Sequence, residues 1–339
     1  MHKCIFQGRL DFGSASSFDI AYRQFEQRAE VFFKNEVVFK VEDVFDENSN
    51  SLDIPRTVSN ITEKVWKNTN ELFDYIRQFA LSGQIEAWMV ESGKILEYEL
   101  FEPHGDKSVI TAYQSGRDLL KNEGKEEEAY DLLTKAISKY DKHSQAYERR
   151  GYTNIMLERP EDARYDFDKS IRLDNRNAMA YYGRGWLNMK EEKWEEAVED
   201  FSKALKNLLA VQSIFWKVRR MKVECLIQLE RWEEALKECK LLIRRKFASD
   251  DPNFKYTTHV NTMYVKCLIQ TGEEQKALDF IEESLDSIPK QQEDQRRAML
   301  TDRGLVKQKL GEKSYIKDWE EAAALGEPRA NELLATESN

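Results

Sequence analysis

KWEEAVEDFSKAL, residues 193–205, returns as RWEEALKECKLLI, residues 231–243, with its aromatic residue, acidic pair and alanine in the same order. Aligned on the alanine, the phrase occurs five times, at Ala129, Ala163, Ala197, Ala235 and Ala277, with spacings of 34, 34, 38 and 42 residues. A repeat of about 34 residues has the length of one helix-turn-helix unit, and a chain of such units folds by stacking helix pairs.

Each copy carries the same stripe. Four residues after the alanine stands a larger side chain (Leu133, Phe167, Phe201, Cys239, Ile281), and three further on a small or apolar one (Ala136, Ser170, Ala204, Leu242, Ser284). Offsets of four and three fall on one face of a helix. Twelve residues before the anchor, Gly151 and Gly185 each follow a tyrosine, Tyr147 or Tyr181, by four. Glycine inside a helix costs about 0.5 to 1 kcal/mol relative to alanine, so these two imply a neighbour too close to admit a Cβ.

On these residues the chain resembles the tetratricopeptide-repeat family, whose unit is a pair of antiparallel helices. The best-matching units are 144–177, with Tyr147, Gly151, Ala163 and Phe167, and 178–211, with Tyr181, Gly185, Ala197, Phe201 and Ala204. The usual helix-ending proline is Asn175 in one and Leu209 in the other, while Pro289 fills that place in the fifth unit. From residue 216 onward the glycine is replaced, by Val223 and Val265. A sixth, degenerate unit keeps Gly304, Gly311, Ala323 and Pro328 in register, with Ile316 at its anchor, and PRANELLA reads as a closing helix. The resemblance implies an all-α superhelix over 110–335: a helix-turn-helix solenoid of about six pairs with a capping helix.

The period is lost before residue 105. There, residues 3–11 alternate like a strand, 15–34 carry a helical stripe (Phe18, Tyr22, Phe25, Ala29, Phe32), and VVFKVEDVF, 37–45, is again strand-like. A helix over 58–82 follows, then two strands joined at Ser92 and Gly93. The expected order is βαβαββ, an α+β domain over 1–105 with two helices on one face of a small mixed sheet. EPHGDKS, 102–108, is the expected junction.

Composition narrows the function. A net charge of −10 repels polyanions at long range, so nucleic acid is not an expected partner. No run of about 18 apolar residues spans a membrane, and the start lacks a signal-like apolar core, giving an expectation of a cytoplasmic protein. Cys4, Cys225, Cys239 and Cys267 form no Cys-x-x-Cys and the four histidines are isolated, so no metal site is indicated. Neither a phosphate loop nor a nucleophile elbow is present, and no cofactor or catalytic residue is expected.

The resemblance further implies that the first helix of each unit lines an inner groove. The expected peptide-contacting residues are Arg149, Tyr152, Tyr182, Trp186, Met189, Lys217, Arg220, His259, Met263 and Lys266, with Gln114 and Asp118 on the first helix. Aromatic, Met and Arg side chains are the types enriched at binding hot spots. Basic residues among aromatics suit an extended acidic or carboxylate-ended peptide, or a helix, of a protein partner. The co-chaperone clamp for acidic chaperone tails is not matched, since its places hold Gln114, Asp118, Tyr152, Met179 and Gly183. The expected function is that of a non-enzymatic adaptor or scaffold. The competing reading makes the first domain a small-ligand-binding or catalytic module that the repeats regulate or target.

Overall fold

β1 (His2–Asp11) buries Cys4, Phe6 and Leu10 completely and has a strand on each side. After it, the Ser14 hydroxyl accepts the Ser17 N–H and starts α1 (Ala15–Gln27), whose Phe18, Ala21 and Phe25 are buried at helical spacing. Then come α2 (Val41–Val44), β2 (Phe45–Asp46), β3 (Ser51–Ile61), α3 (Glu63–Ile76), β4 (Ser82–Glu91) and β5 (Lys94–Phe101). The five strands form one sheet in the order β2-β3-β1-β4-β5, every neighbouring pair antiparallel. Side chains of α1 and α3 share a core with Phe6, Leu52, Ile54, Ile85 and Met89 from the sheet. The computed structural model describes residues 1–105, 107–287 and 293–337, and the chain divides into two compact units, 1–187 and 188–339.

The expected order βαβαββ and the mixed sheet are corrected here. Residues 37–45 are not a strand over their length: Val41 and Val44 are buried three residues apart on a short helix, and only Phe45 and Asp46 pair with β3. Val38 donates its N–H to the Thr69 hydroxyl at 3.1 Å instead of to a ladder. The missing strand is β3, SLDIPRTVSNI. Its Pro55 lacks an N–H, and the register against β1 breaks there, Phe6 facing Thr57 and Gly8 facing Ile54, so the proline removes no ladder bond. The second helix accordingly begins at Glu63 rather than 58, capped by Thr62, whose hydroxyl accepts the Val65 N–H at 3.3 Å.

Beyond the sheet the chain is helical: α4 (Ser108–Leu119), α5 (Glu126–Lys139), α6 (Ser144–Met156), α7 (Pro160–Leu173), α8 (Ala178–Lys190), α9 (Trp194–Asn207), α10 (Ser213–Gln228) and α11 (Trp232–Arg245). After them follow α12 (Thr257–Gln270), α13 (Glu274–Ser287), α14 (Glu293–Lys309), α15 (Tyr315–Ala324) and α16 (Pro328–Glu337). The anchor alanines 129, 163, 197, 235 and 277 are all fully buried, as are the larger side chains four residues after them. Pro289 lies outside the described residues.

Gly151 on α6 shows why the phrase is constrained. A Cβ there would sit 2.7 Å from the Phe167 ring, so the aromatic of α7 occupies the space a side chain would take. Gly304 on α14 faces the Trp319 indole in the same way. That pairing corrects the register of the sixth unit. Trp319 and Ala322 are its fully buried positions, whereas Ile316, expected at the anchor, is 41 % exposed and Ala323 is only half-buried. The indole fixes the choice, because its Nε1 donates to the Thr301 carbonyl at 3.2 Å.

A polar brace recurs beside these rings. In the first unit Arg150 donates to both oxygens of buried Asp166 (2.9 and 2.7 Å), and Asn154 adds a third bond at 3.0 Å. In the second, Asn188 donates to Asp200 at 3.0 Å, Lys222 to Glu238 at 2.8 Å and Arg303 to Asp318 at 2.6 Å. Asp166, Asp200 and Glu238 each lie three residues after an anchor alanine.

Close packing makes the crossings sensitive to volume. Gly151→Ala and Ala197→Leu should each destabilise by about 1 to 3 kcal/mol through overpacking, read from the urea midpoint at unchanged m; a neutral Ala197→Leu would mean that no helix crosses there.

His143 gives a pH prediction. Fully buried, its Nδ1 accepts the Ala146 N–H at 3.2 Å to cap α6, its ring lies 4.5 Å from that of Tyr113, and burial pushes its pKa down to about 3. A depressed pKa contributes stability that is complete above the unfolded value of about 6.5 and is lost as pH falls toward the folded one. His143→Asn keeps a capping acceptor without the titration. Between pH 7 and 4 the wild type should lose up to about 1.4 kcal/mol per pH unit relative to this variant; parallel denaturation curves would show that the ring is not held neutral.

Candidate functional site

In the first unit the expected contact residues are largely engaged by the chain itself. The Gln114 side-chain amide donates to the Pro103 carbonyl at 3.1 Å, and Arg117, one turn on, grips both oxygens of Glu102 at 2.6 and 2.7 Å. Lys107, its pKa lowered by burial, donates to the carbonyls of Gln78, Phe79 and Ala80. Arg176, between α7 and α8, pairs with Asp53 of β3, and β4 runs beside α6. The expected junction, of which Asp106 lies outside the described residues, is therefore tied to both the sheet domain and the first helices.

Tyr152 donates its hydroxyl to the Met179 carbonyl at 2.6 Å, with its ring edge-on to Phe167 at 5.1 Å and tilted to Tyr182 at 6.4 Å. Tyr182 is buried, and Trp186 packs partly against the core of Ala163, Phe167, Ala180 and Leu187. Arg149 lies 3.5 Å from the carboxylate of Glu148, and that neighbour raises its pKa. Burial raises the Glu148 pKa, and one of its oxygens has no hydrogen-bond partner. Asp118 bonds the Lys121 ammonium at 2.9 Å.

In the second unit α10 and α12 bring a smaller group together. Arg220 pairs with Glu224, one turn along α10, and its guanidinium lies over the Tyr256 ring, 4.0 Å from the centroid. His259 at the start of α12 meets the same Glu224 through Nε2 at 3.1 Å. Met263, one turn further, is buried, and the Lys266 ammonium stands 5.5 Å over the Trp232 ring. Lys217 precedes Arg220 by three residues and is half-buried, as is Met189 on α8. The arrangement gathers one guanidinium and one imidazole at the Glu224 carboxylate, with the Tyr256 ring beneath Arg220, while the Lys266 ammonium lies over the separate Trp232 ring. Sequence reasoning missed Glu224 and Tyr256, although Glu224 stands at the i+4 place from Arg220 where helix ion pairs form.

Among the described residues no group of three His, Cys, Asp or Glu side chains is placed to hold a metal ion, and no helix is long and apolar enough to cross a membrane. All four cysteines are free and buried.

No family model matches the sequence, and no curated protein does either. Solved structures do match. YrrB, a TPR protein described as having an unusual peptide-binding site, is 21 % identical over 60 % of this chain and 97 % of its own, with a TM-score of 0.49. PilF of Pseudomonas aeruginosa is 15 % identical over 68 % of this chain and 97 % of its own, TM-score 0.48. A tetratricopeptide repeat protein of Parabacteroides merdae is 16 % identical over 94 % of this chain and 100 % of its own, TM-score 0.38. The helical part is a tetratricopeptide-repeat array. Its own recurring helix pairs, anchor alanines and glycine-ring crossings carry that statement.

Within this array Tyr152 has a packing role that can be separated from ligand contact. Tyr152→Phe should lose about 0.5 to 1.5 kcal/mol of stability with the hydrogen bond to Met179, measured by chemical denaturation. A variant as stable as the wild type would free the hydroxyl for another role.

Proposed function

We propose that the protein is a non-enzymatic interaction adaptor whose second unit takes an extended acidic peptide of a partner protein on α10 and α12. Tetratricopeptide-repeat arrays are built for such work, since stacked pairs expose successive first helices as an extended surface. The observation that carries the reading is the Arg220, Glu224, Tyr256 and His259 cluster, with Lys217 one turn before Arg220 on α10 and Lys266 two turns after His259 on α12. Arg220 is already oriented by Glu224 and by the Tyr256 ring, so less side-chain entropy is lost when it meets a carboxylate. A peptide carboxylate placed there would form charge-assisted bonds of about twice the strength of neutral ones.

A fluorescein-labelled peptide of alternating aspartate and proline, which stays extended, tests this with the full chain. Its anisotropy should saturate, and the response should weaken at least about tenfold when Lys217, Arg220 and Lys266 are all changed to alanine with the helical circular dichroism unchanged. Equal binding of the asparagine-for-aspartate analogue would overturn the acidic preference, and saturation unaffected by the triple change would move the site off α10 and α12.

A further inference from the structure

β5 closes one edge of the sheet and, among the described residues, is paired with β4 on one side only. Every residue from Lys94 to Leu100 is exposed, and the apolar ones, Ile95, Leu96, Tyr98 and Leu100, are between 37 and 48 % exposed. A long apolar edge is a template for strand addition, because alternate N–H and C=O groups point outward unpaired. Most folds blunt such an edge. Here a register shift at Leu96, which has no partner on β4, interrupts it, leaving Glu97–Phe101 regular, five residues and hence an ordinary strand length.

The side chains on that stretch select the occupant. Glu97 and Glu99 stand opposite Met89 and Ala87, on the face covered by the helices, where Glu97 accepts the Trp66 indole N–H at 2.6 Å. Tyr98 and Leu100 stand on the other face, opposite Trp88 and Glu86, and the Tyr98 hydroxyl donates to Glu86 at 3.0 Å. A second copy of the chain is a poor occupant. In antiparallel self-pairing, residues of like parity face one another. Centring the pair on Tyr98 sets Glu97 against Glu99, and centring it on either glutamate sets that residue against itself. Like charges directly opposite are destabilising.

We infer that the β5 edge is a second docking surface, which takes an extended segment of a partner protein by strand addition, its residues alternating between cationic and apolar. The cations lie beside Glu97 and Glu99, the apolar side chains beside Tyr98 and Leu100, and the added backbone completes the outer ladder. The two glutamates thus disfavour self-pairing centred on residues 97–99 and favour a basic strand by the same charge.

The probe is an acetylated, amidated heptapeptide of alternating valine and lysine, labelled with fluorescein and titrated against the full chain. It should bind saturably and slow hydrogen exchange of the amides in 97–101. Glu99→Lys, an exposed change that leaves the Trp66 bond alone, should weaken it about fivefold or more. The same peptide N-methylated at alternate residues carries equal charge but cannot complete the ladder, and its binding should be lost. Equal affinity for the N-methylated peptide would reduce the effect to net charge and overturn the proposal. So would the absence of saturation, or a dimer of the protein, by light scattering, that occupies the edge and is broken by Glu99→Lys.

Discussion

In two of the helix pairs one contact sets the spacing: an aromatic ring from the second helix fills the space where the first helix lacks a side chain. The two instances are Phe167 against Gly151 and Trp319 against Gly304. Interiors are packed as densely as organic crystals, so the ring sets the distance between the axes rather than merely filling a void. Once that distance is fixed, the residues next to the glycine and to the ring come within hydrogen-bonding range.

The Arg150 and Asp166 pair follows from it. Burial pushes the Asp166 pKa up while Arg150 pulls it down, and such pairs contribute little net stability once desolvation is counted. Their value lies in discrimination. Helices with near-identical apolar stripes could pack against several partners of the same chain, and an acid three residues after the anchor accepts only a helix offering a cation or amide at the matching height. Arg150 with Asn154 does so for Asp166, Asn188 for Asp200 and Lys222 for Glu238. In the sixth unit the Arg303 and Asp318 pair occupies the same place once the register is set by Trp319.

That brace also explains what could and could not be read from the sequence. The anchors, the stripe and the crossing at Gly151 were legible because each is a fixed offset within one helix pair. The register of the sixth unit was not, since Ala323 mimics the buried alanine one residue away. Only the ring over Gly304 distinguishes the two. In the sheet domain β3 was hidden by Pro55 and by polar residues on its open face, while VVFKVEDVF carries strand-forming residue types in a stretch whose polar groups are satisfied by side chains. At the candidate site Lys217, Arg220 and His259 are the residues that the register of the family resemblance offers, and their binding role belongs to the proposal. Tyr256 is not among them, since it ends a short 3-10 turn, Phe254–Tyr256, in the longer connection between α11 and α12 that breaks the repeat.

The two proposed surfaces rest on different physics, which bears on how one acidic chain could serve two partners. On α10 and α12, recognition is by side-chain cations at the surface, and attraction between exposed charges weakens beyond a Debye length of about 8 Å at physiological salt. At β5 the backbone supplies most of the attraction, and the glutamates select by sign. Raising the salt concentration therefore weakens the first surface more than the second. The net charge of −10 acts in opposite senses on them, opposing the approach of an acidic peptide and assisting that of a basic strand. The local cations of the helix wall must then act at short range, where the Tyr256 and Trp232 rings hold Arg220 and Lys266 in place.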